Sequence, residues 1–507
     1  MDDDIQEAAD EQAQQGAQGG EDEGILRISI DADTERITEA LCRRFIRPGS
    51  ATRTYMEAAV ADSLKRLIRP SIETELLAAA KEKADDEAIG VFAENLRQLL
   101  LSAPLGQKRV IAIDPGFRTG CKVVVLDSQG NLVHNTTIYP HPPQGRYAEA
   151  AETLRALAGK YRAEAFAIGD GTAGRETEQL VRGLGLDGAV EIFMVSEDGA
   201  SVYSASAAAR EEFPDYDVTV RGSVSIGRRL IDPLSELVKI DPKSIGVGQY
   251  QHSVDQGKLK ARLNTVVESC VNRVGVNINT ASKHILTYIS GLGPALAENI
   301  VAYRAANGDF KSRKELLRVP RLGAKAYELA AGFLRIVGGQ NPLDNSAVHP
   351  ESYHIAERMA ADAGVTVERL LADKQLRSGL KAERYVSGET GLPTVTDILE
   401  ALDKRGLDPR EQLQAFSFDP GVHTIGDLRE GMTLPGIVTN ITAFGCFVDV
   451  GIKENGLVHI SEMADRFITD PTQVVSMHQH VQVRVQSVDL VRKRVQLSMK
   501  GLANESK

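Results

Sequence analysis

The sequence predicts a multidomain α+β protein: a helical N-terminal segment, an α/β domain, a helical domain with two glycine hairpins, and a C-terminal β-barrel. Three observations predict it. The 507 residues exceed one domain, and 42 % hydrophobic residues allow each part its own core. The periodicity switches along the chain, from helical spacing before Pro104 to strands, back to helical spacing after about 230, and to alternation after Thr424. Finally, two short turns, Gly291-Leu-Gly-Pro294 and Val319-Pro-Arg-Leu-Gly-Ala-Lys325, each separate stretches of helical periodicity.

Residues 1–24 carry Asp2, Asp3, Asp4, Glu7, Asp10, Glu11, Glu21, Asp22 and Glu23 with no Lys or Arg. This is read as an acidic disordered leader and a solubilising extension. The net charge of −11 therefore does not exclude a polyanionic partner: without those nine residues the chain holds 59 basic against 61 acidic residues. Cys42, Cys121, Cys270 and Cys446 are far apart with no CxxC pair. That argues against zinc and against a disulfide scaffold and fits a reducing cytosol, so a cytoplasmic protein is expected. No apolar run approaches membrane-spanning length, and the N-terminus lacks a signal-peptide pattern.

Residues 25–105 read as helical. Ile37, Leu41 and Phe45 form one apolar stripe; Ile89, Phe92, Leu96, Leu99 and Leu100 form another, and both are expected to be core. Over 106–230 three strands come first, Val110-Ile-Ala-Ile113, Cys121–Leu126 and Leu132–Ile138, with Asp127-Ser-Gln-Gly-Asn131 as a hairpin turn. A helix at about 147–159, a strand at Ala165–Ile168, a helix from about Arg175, a strand at Glu191–Val195 and a helix at about 203–212 follow. That order is the order of an RNase H-like α/β domain.

The first strand runs into Asp114-Pro-Gly-Phe-Arg-Thr-Gly120, which puts a carboxylate where RNase H-like nucleases place a metal-binding Asp. Its candidate partners are Asp170 in Gly169-Asp-Gly-Thr-Ala-Gly174, Glu197 after the fifth strand, and Asp232 in a later helix. Asp114, Asp170 and Glu197 follow strand ends, so they have the chance to converge. The same residue types are ordinary loop and capping residues, so no catalytic or metal-binding residue is assigned, and Mg²⁺ is a cofactor only if the Asp114 site is active. The start of the helix near Arg175 offers amides for a phosphate nest. Asp114-x-Gly-x-x-Thr119 with Gly169-Asp-Gly-Thr172 also resembles the phosphate loops of the actin and sugar-kinase superfamily, but that fold needs two such lobes and one is found.

Residues 231–345 read as helical, with the hairpins at about 280–340. Ile285, Leu286 and Ile289 precede the first turn; Leu296, Ile300 and Tyr303 follow it, and Pro294 suits a first helical position. The pattern resembles a tandem helix-hairpin-helix unit, in which exposed amides grip a sugar-phosphate backbone. The contacts expected are Gly291, Gly293, Ala295, Gly323 and Ala324, supported by Arg321 and Lys325. Lys283, Arg304, Lys311, Arg313, Lys314, Arg318 and Arg335 make the block basic. Residues 346–420 read as a second helical, helix-hairpin-helix-like unit, bounded by His349-Pro350 and containing Leu392-Pro393.

Residues 425–502 hold Gly436-Ile-Val-Thr-Asn-Ile-Thr-Ala-Phe-Gly-Cys-Phe-Val-Asp-Val450, Gly456-Leu-Val-His-Ile-Ser-Glu462, Val481-Gln-Val-Arg-Val485 and Arg494-Val-Gln-Leu-Ser498. Alternation puts Val448 and Val450 on one face, Phe447 and Asp449 on the other. The pattern is that of an S1-type OB barrel, which favours single-stranded RNA or DNA. Phe444 and Phe447 are candidates for base stacking, one of them for core; His459, Arg484, Arg492, Lys493 and Arg494 are candidates for polar contacts.

Taken in this order, with Asp114-Pro-Gly-Phe-Arg-Thr-Gly-Cys-Lys122, Gly171-Thr-Ala-Gly-Arg-Glu-Thr177, Gly199-Ala-Ser-Val-Tyr-Ser-Ala-Ser206 and Asp241-Pro-Lys-Ser-Ile-Gly-Val-Gly-Gln-Tyr-Gln-His252, the chain resembles the Tex family of bacterial transcription accessory proteins over about 25–500. The resemblance implies a YqgF-type RNase H-like domain without nuclease activity, a link to transcription, and the layout of a eukaryotic elongation factor. Two departures stand out. Residues 25–105 match only the last portion of the family's longer N-terminal region, so a shortened member is expected. Asp170 replaces the family's usual Asn, which restores a metal ligand or caps the next helix. The expected function is nucleic-acid binding by a monomer, with RNA, DNA, and RNA polymerase or the ribosome as partners; a metal-dependent nuclease centred on Asp114 is the alternative.

Overall fold

The computed structural model describes residues 30 and 32–502, apart from 187–189, 249–250, 388–389, 404–409, 411–417, 420, 423, 443, 477–478 and 491. The acidic leader read over 1–24 lies outside the described residues. The described chain forms two compact units, one of residues up to Phe92 with 251–259, the other of the remainder.

In the first unit α1 (Thr34–Phe45) and α2 (Arg53–Ser63) lead through a short π-helical turn into α3 (Arg69–Leu100). Asp85 accepts the Asp255 amide at 3.0 Å, and Lys258 bridges Glu82 and Asp86. The first apolar stripe departs from expectation. No residue of α1 is buried: Leu41 is half-buried and Phe45 is 60 % exposed, so the stripe is only partly covered. The second stripe behaves as expected: Ile89, Phe92, Leu96 and Leu100 are buried.

In the second unit, β1 (Val110–Asp114), β2 (Cys121–Leu126), β3 (Leu132–Ile138), β4 (Ala165–Gly169) and β5 (Glu191–Val195) form one sheet in the order β3-β2-β1-β4-β5. β1 is antiparallel to β2 and parallel to β4, and β4 is parallel to β5. Alternation splits the core between two faces. Ile111, Ile113, Phe166 and Ile168 pack with α4 (Tyr147–Tyr161) and α5 (Gly174–Arg182). Val110, Ala112, Ala165 and Ala167 pack with Val224, Ile226 and Leu230 of α8 (Val218–Ile231).

Sequence reading placed one helix at 203–212 and none between there and 230. The structure has α6 (Ala200–Ala205) and α7 (Ala207–Glu212), broken at Ser206, whose side chain caps α7, followed by the long α8. Helix α8 escapes periodicity analysis because small residues, Gly222, Ser223, Ser225 and Gly227, interrupt the apolar residues that meet the sheet. A Cβ at Gly227 would lie 2.6 Å from Leu126 and 2.8 Å from Ala112, so glycine here lets the helix backbone approach the sheet.

After α9 (Pro233–Leu237) come α10 (Gln256–Val274), α11 (Lys283–Leu286), α12 (Gly293–Asn307) and α13 (Ala324–Ala330), tied by a parallel pair not foreseen from sequence, β6 (Val276–Asn277) with β7 (Leu334–Arg335). Helices α14 (Tyr353–Asp362), α15 (Val367–Ala372), α16 (Lys374–Ser378) and α17 (Leu392–Asp403) share a further core around Met359, Leu370 and Leu402. The barrel closes in the order β10-β12-β11-β8-β9, from β8 (Thr433–Thr442), β9 (Gly445–Asp449), β10 (Gly456–His459), β11 (His480–Asp489) and β12 (Arg494–Ser498).

Arg313 holds the hairpin region to the next helical unit. It is 1 % exposed; its guanidinium donates to the carbonyls of Leu334, Val348 and Ser346 and to the Tyr353 hydroxyl, at 2.6–2.8 Å. Arg313→Ala strands these acceptors and is expected to cost about 3–5 kcal/mol of stability, the range for breaking a buried charged network. Chemical denaturation checks this; a loss under about 1 kcal/mol would mean the carbonyls find water instead.

Candidate nucleic-acid interface

The barrel builds its face by alternation. Cys446, Val448 and Val450 are fully buried, which turns Phe447 and Asp449 outward on β9. Phe444 and Phe447 meet edge to face, centroids 6.1 Å apart at 89°. Both are half-buried and neither belongs to the barrel core, so the expectation that one would be core does not hold. Two main-chain constraints fix them. Gly445 has φ +149° and a Cβ there would overlap the Val458 carbonyl, so β9 lies directly on β10; the Ile460 amide donates to the Phe444 carbonyl at 2.7 Å.

The register puts His459 opposite Gly445 and Leu457 opposite Phe447, while Gln496 continues the Phe447 row on β12. His459 is exposed and its Nδ1 engages Ser461. Arg484 is exposed on β11 opposite Ser498 of β12, so β12 separates it from the His459 strand. Arg492, Lys493 and Arg494 are exposed at the β11–β12 turn, with Arg494 opposite Asp489 and Lys493 3.8 Å from Glu454. The structure thus gathers Phe444, Phe447 and His459 on the second and third barrel strands, the face by which OB folds bind strands of nucleic acid, with cations at its borders. Sequence reading missed one residue here. Asp449 pairs with Arg175 at the start of α5, whose Nη2 donates to both carboxylate oxygens at 2.8 Å. Its outward position on β9 was legible; its partner, far away in the chain, was not.

The hairpins present main chain. Gly291 and Gly293 have φ +83° and +66°, and no side chain caps the first amides of α12. A Cβ at Gly291 would lie 2.7 Å from Leu329, so glycine also lets the first hairpin pack on α13 of the second. Ala295 is exposed behind Pro294. In the second hairpin it is Arg321 that takes the left-handed conformation, φ +65°, while Gly323 caps α13 with φ −82° and open space where a Cβ would be. Arg321, Gly323, Ala324 and Lys325 are all exposed. The surrounding cations are fewer than the sequence suggests. Arg313 is buried as described, Arg304 donates to the Ile278 and Ala281 carbonyls, Arg335 donates to Gly332 and Ser346, and Lys283 pairs with Glu211 at 2.7 Å.

The carboxylate cleft is arranged differently from a metal centre. Asp114 ends β1 opposite Lys122, and burial raises its pKa against the pull of that ammonium. Asp170 is exposed as a residue, yet its carboxylate is packed against the Ser196–Asp198 main chain, where it accepts the Glu197 amide at 3.1 Å; burial raises its pKa too. Glu197 folds back over Gly171, whose amide donates to it and whose missing Cβ leaves the room. Burial, then the charges of Asp114 and Asp170, push Glu197 up to about 7. Asp170 and Glu197 each accept a main-chain amide of the other's loop, while Asp114 is close enough for its charge to act on Glu197. Among the described residues no group of three His, Cys, Asp or Glu side chains is arranged to hold a metal ion. Asp232 is not in a helix as expected. It is the N-cap of α9, bonding Ser235, and pairs with Arg410 at 2.6 Å. Arg229, unnoticed in the sequence, steadies the loop by donating to the Ser196 and Asp198 carbonyls.

A barrel with an outward aromatic pair, two amide-presenting hairpins and an RNase H-like domain define a multidomain nucleic-acid-binding protein. Family comparison agrees part by part: residues 108–231 match the Tex protein YqgF-like domain, 271–335 the helix-hairpin-helix motif, 341–410 an HHH domain and 427–500 the S1 RNA binding domain. Protein YhgF of Escherichia coli is 48 % identical over 95 % of this chain and 64 % of its own length. The transcriptional accessory protein Tex of Neisseria gonorrhoeae is likewise 48 % identical over 95 % of this chain and 64 % of its own length. Protein YdcI of Bacillus subtilis is 46 % identical over 95 % of this chain and 68 % of its own length. The chain belongs to the Tex family. It spans just under two thirds of the length of the first two relatives. Among the described residues no helix is long and apolar enough to cross a membrane.

Two outcomes follow from this geometry. Gly323→Asp places a carboxylate in open space at an unstrained φ, so Tm should hold while affinity for a duplex at low salt falls about tenfold, as expected for one charge facing a phosphate. Equal affinity of variant and wild type would remove the second hairpin from the interface. For Glu197 the folded chain holds its proton to about pH 7 while the unfolded chain releases it near 4.5, so the group lowers stability as pH rises through that window. Glu197→Gln should therefore match wild type at pH 4.5 and melt higher at pH 8; a gain independent of pH would contradict the crowding.

Proposed function

We propose that this protein is a transcription accessory factor that holds single-stranded RNA on its S1 barrel and grips a sugar-phosphate backbone, without reading sequence, through its two hairpins. The perpendicular Phe444–Phe447 pair beside His459 carries this reading, because it offers an aromatic surface and a polar edge on the strands that OB folds use. Arg484, Arg492, Lys493 and Arg494 supply charge along that face, and Gly291, Gly293, Ala295, Arg321, Gly323, Ala324 and Lys325 form the backbone grip. The name of a relative, transcriptional accessory protein Tex, supports the link to transcription, and copurification with RNA polymerase or with the ribosome identifies the assembly it joins. It acts in the cytosol as a monomer; its free cysteines suit that compartment.

The RNase H-like domain serves as scaffold. Asp170 accepts the Glu197 amide and Glu197 accepts the Gly171 amide, which gives both carboxylates a loop-holding role, and no hydrolytic step or cofactor is assigned to the cleft. Stacking of a base is worth about 1–3 kcal/mol, so Phe447→Ala should weaken binding of a single-stranded RNA roughly 5- to 150-fold in a fluorescence-anisotropy titration. Unchanged affinity would move the RNA site off the barrel. Incubation with single-stranded, duplex and branched substrates in Mg²⁺ or Mn²⁺ should leave them intact; cleavage abolished by Asp114→Asn would establish a nuclease instead.

A further inference from the structure

A cavity of about 290 Å³ lies where the end of β5 meets the outer face of β8. Met194, Phe418 and Ile437 give it apolar walls. Its polar groups are of both kinds. Asp170 and Asp198 are acceptors, and Asp198 is exposed. Arg229 is a donor: it is 6 % exposed, and beyond its bonds to the Ser196 and Asp198 carbonyls its Nε–H has no partner among the described residues. The cavity also borders the aromatic face, since the Thr439 hydroxyl in its wall donates to the Phe447 carbonyl at 3.2 Å.

This volume, with apolar walls and a few convergent polar groups, suits a small planar heteroaromatic ring. Carboxylates at the cavity repel phosphate, so a nucleotide enters ring first and leaves its backbone outside. Resting on the RNA-binding reading above, we propose that the cavity takes one base of the strand held on the barrel and prefers bases with an exocyclic amino group. Such a base donates from its amino group to Asp198, the exposed carboxylate of the lining. Adenine, cytosine and guanine each carry an exocyclic amino group; uracil has none to donate.

The test uses the full chain and a short oligouridine with one central 2-aminopurine, a base that carries an exocyclic amino group and reports its surroundings by fluorescence. Binding should change its emission at least twofold. In anisotropy titrations the chain should prefer oligouridines with one central adenine, cytosine or guanine over the all-uridine strand by about tenfold. Ser102→Trp, which fills the cavity from its wall, and Asp198→Ala, at an exposed position, should abolish the emission change and reduce the preference to within twofold while all-uridine affinity stays the same. Retention of both effects in Ser102→Trp overturns the proposal, as does wild type that binds RNA with no emission change. Wild type that binds no RNA overturns the barrel reading and this one with it. Adenosine monophosphate is the second arm: displacement of the labelled base at micromolar concentration would make the cavity a mononucleotide site and overturn its assignment to a polymer.

Discussion

One ion pair governs how the barrel presents its aromatic strand. Arg175 reaches Asp449 with both contacts at 2.8 Å, from the loop-helix junction that also carries Asp170. One terminal nitrogen of the guanidinium is shared between both carboxylate oxygens. Asp449 lies two residues from Phe447 on the same outer face of β9, so the contact anchors the aromatic strand to the RNase H-like domain. Burial pushes Asp449 upward in pKa, and the Arg175 charge opposes that shift. The pair is partly exposed, so its strength falls as salt rises, together with any contact to phosphates.

The two binding devices obey different physics. On the barrel, rings lie beside a histidine and contact bases through their faces, which every base possesses. At the hairpins the protein offers main chain. Gly291 lets one turn sit on the helix of the other, and Gly323 leaves open space where a backbone approaches. Much of the positive charge in this region is structural: Arg304, Arg313 and Arg335 donate to main-chain carbonyls of the hairpin region and of the helical unit that follows it. The exposed charge that remains, Arg321 and Lys325 among it, sits next to the free amides, so charge and geometry act on the same phosphate.

Where a pattern is local, the sequence showed it. The alternation Cys446, Phe447, Val448, Asp449, Val450 gave the inward and outward sets of β9, and the strand order of the α/β domain followed from punctuation by Asp127–Asn131 and Pro104. Where the determinant is distant, it did not. Helix α8 hides because Gly222, Ser223, Ser225 and Gly227 interrupt the stripe of Val224, Ile226 and Leu230 that meets the sheet. Arg313 looked like one surface cation among several, since nothing local marks the four acceptors that converge on it. Asp232 looked like a carboxylate for the cleft, but Pro233 behind it made it a cap. The α1 stripe has helical spacing yet none of its residues is buried, which shows that periodicity predicts a helix and not its burial.

The account rests on nucleic acid meeting rings and main chain while the carboxylate cleft stands apart. Ultraviolet cross-linking of a bound single-stranded RNA to the full chain, followed by mapping of the linked peptides, tests it most directly. Cross-links should fall on the β9–β10 segment around Phe444, Phe447 and His459, with a second set at 291–295 and 321–325. Cross-links confined to the loops that carry Asp114, Asp170 and Glu197, with none on the barrel, would contradict it.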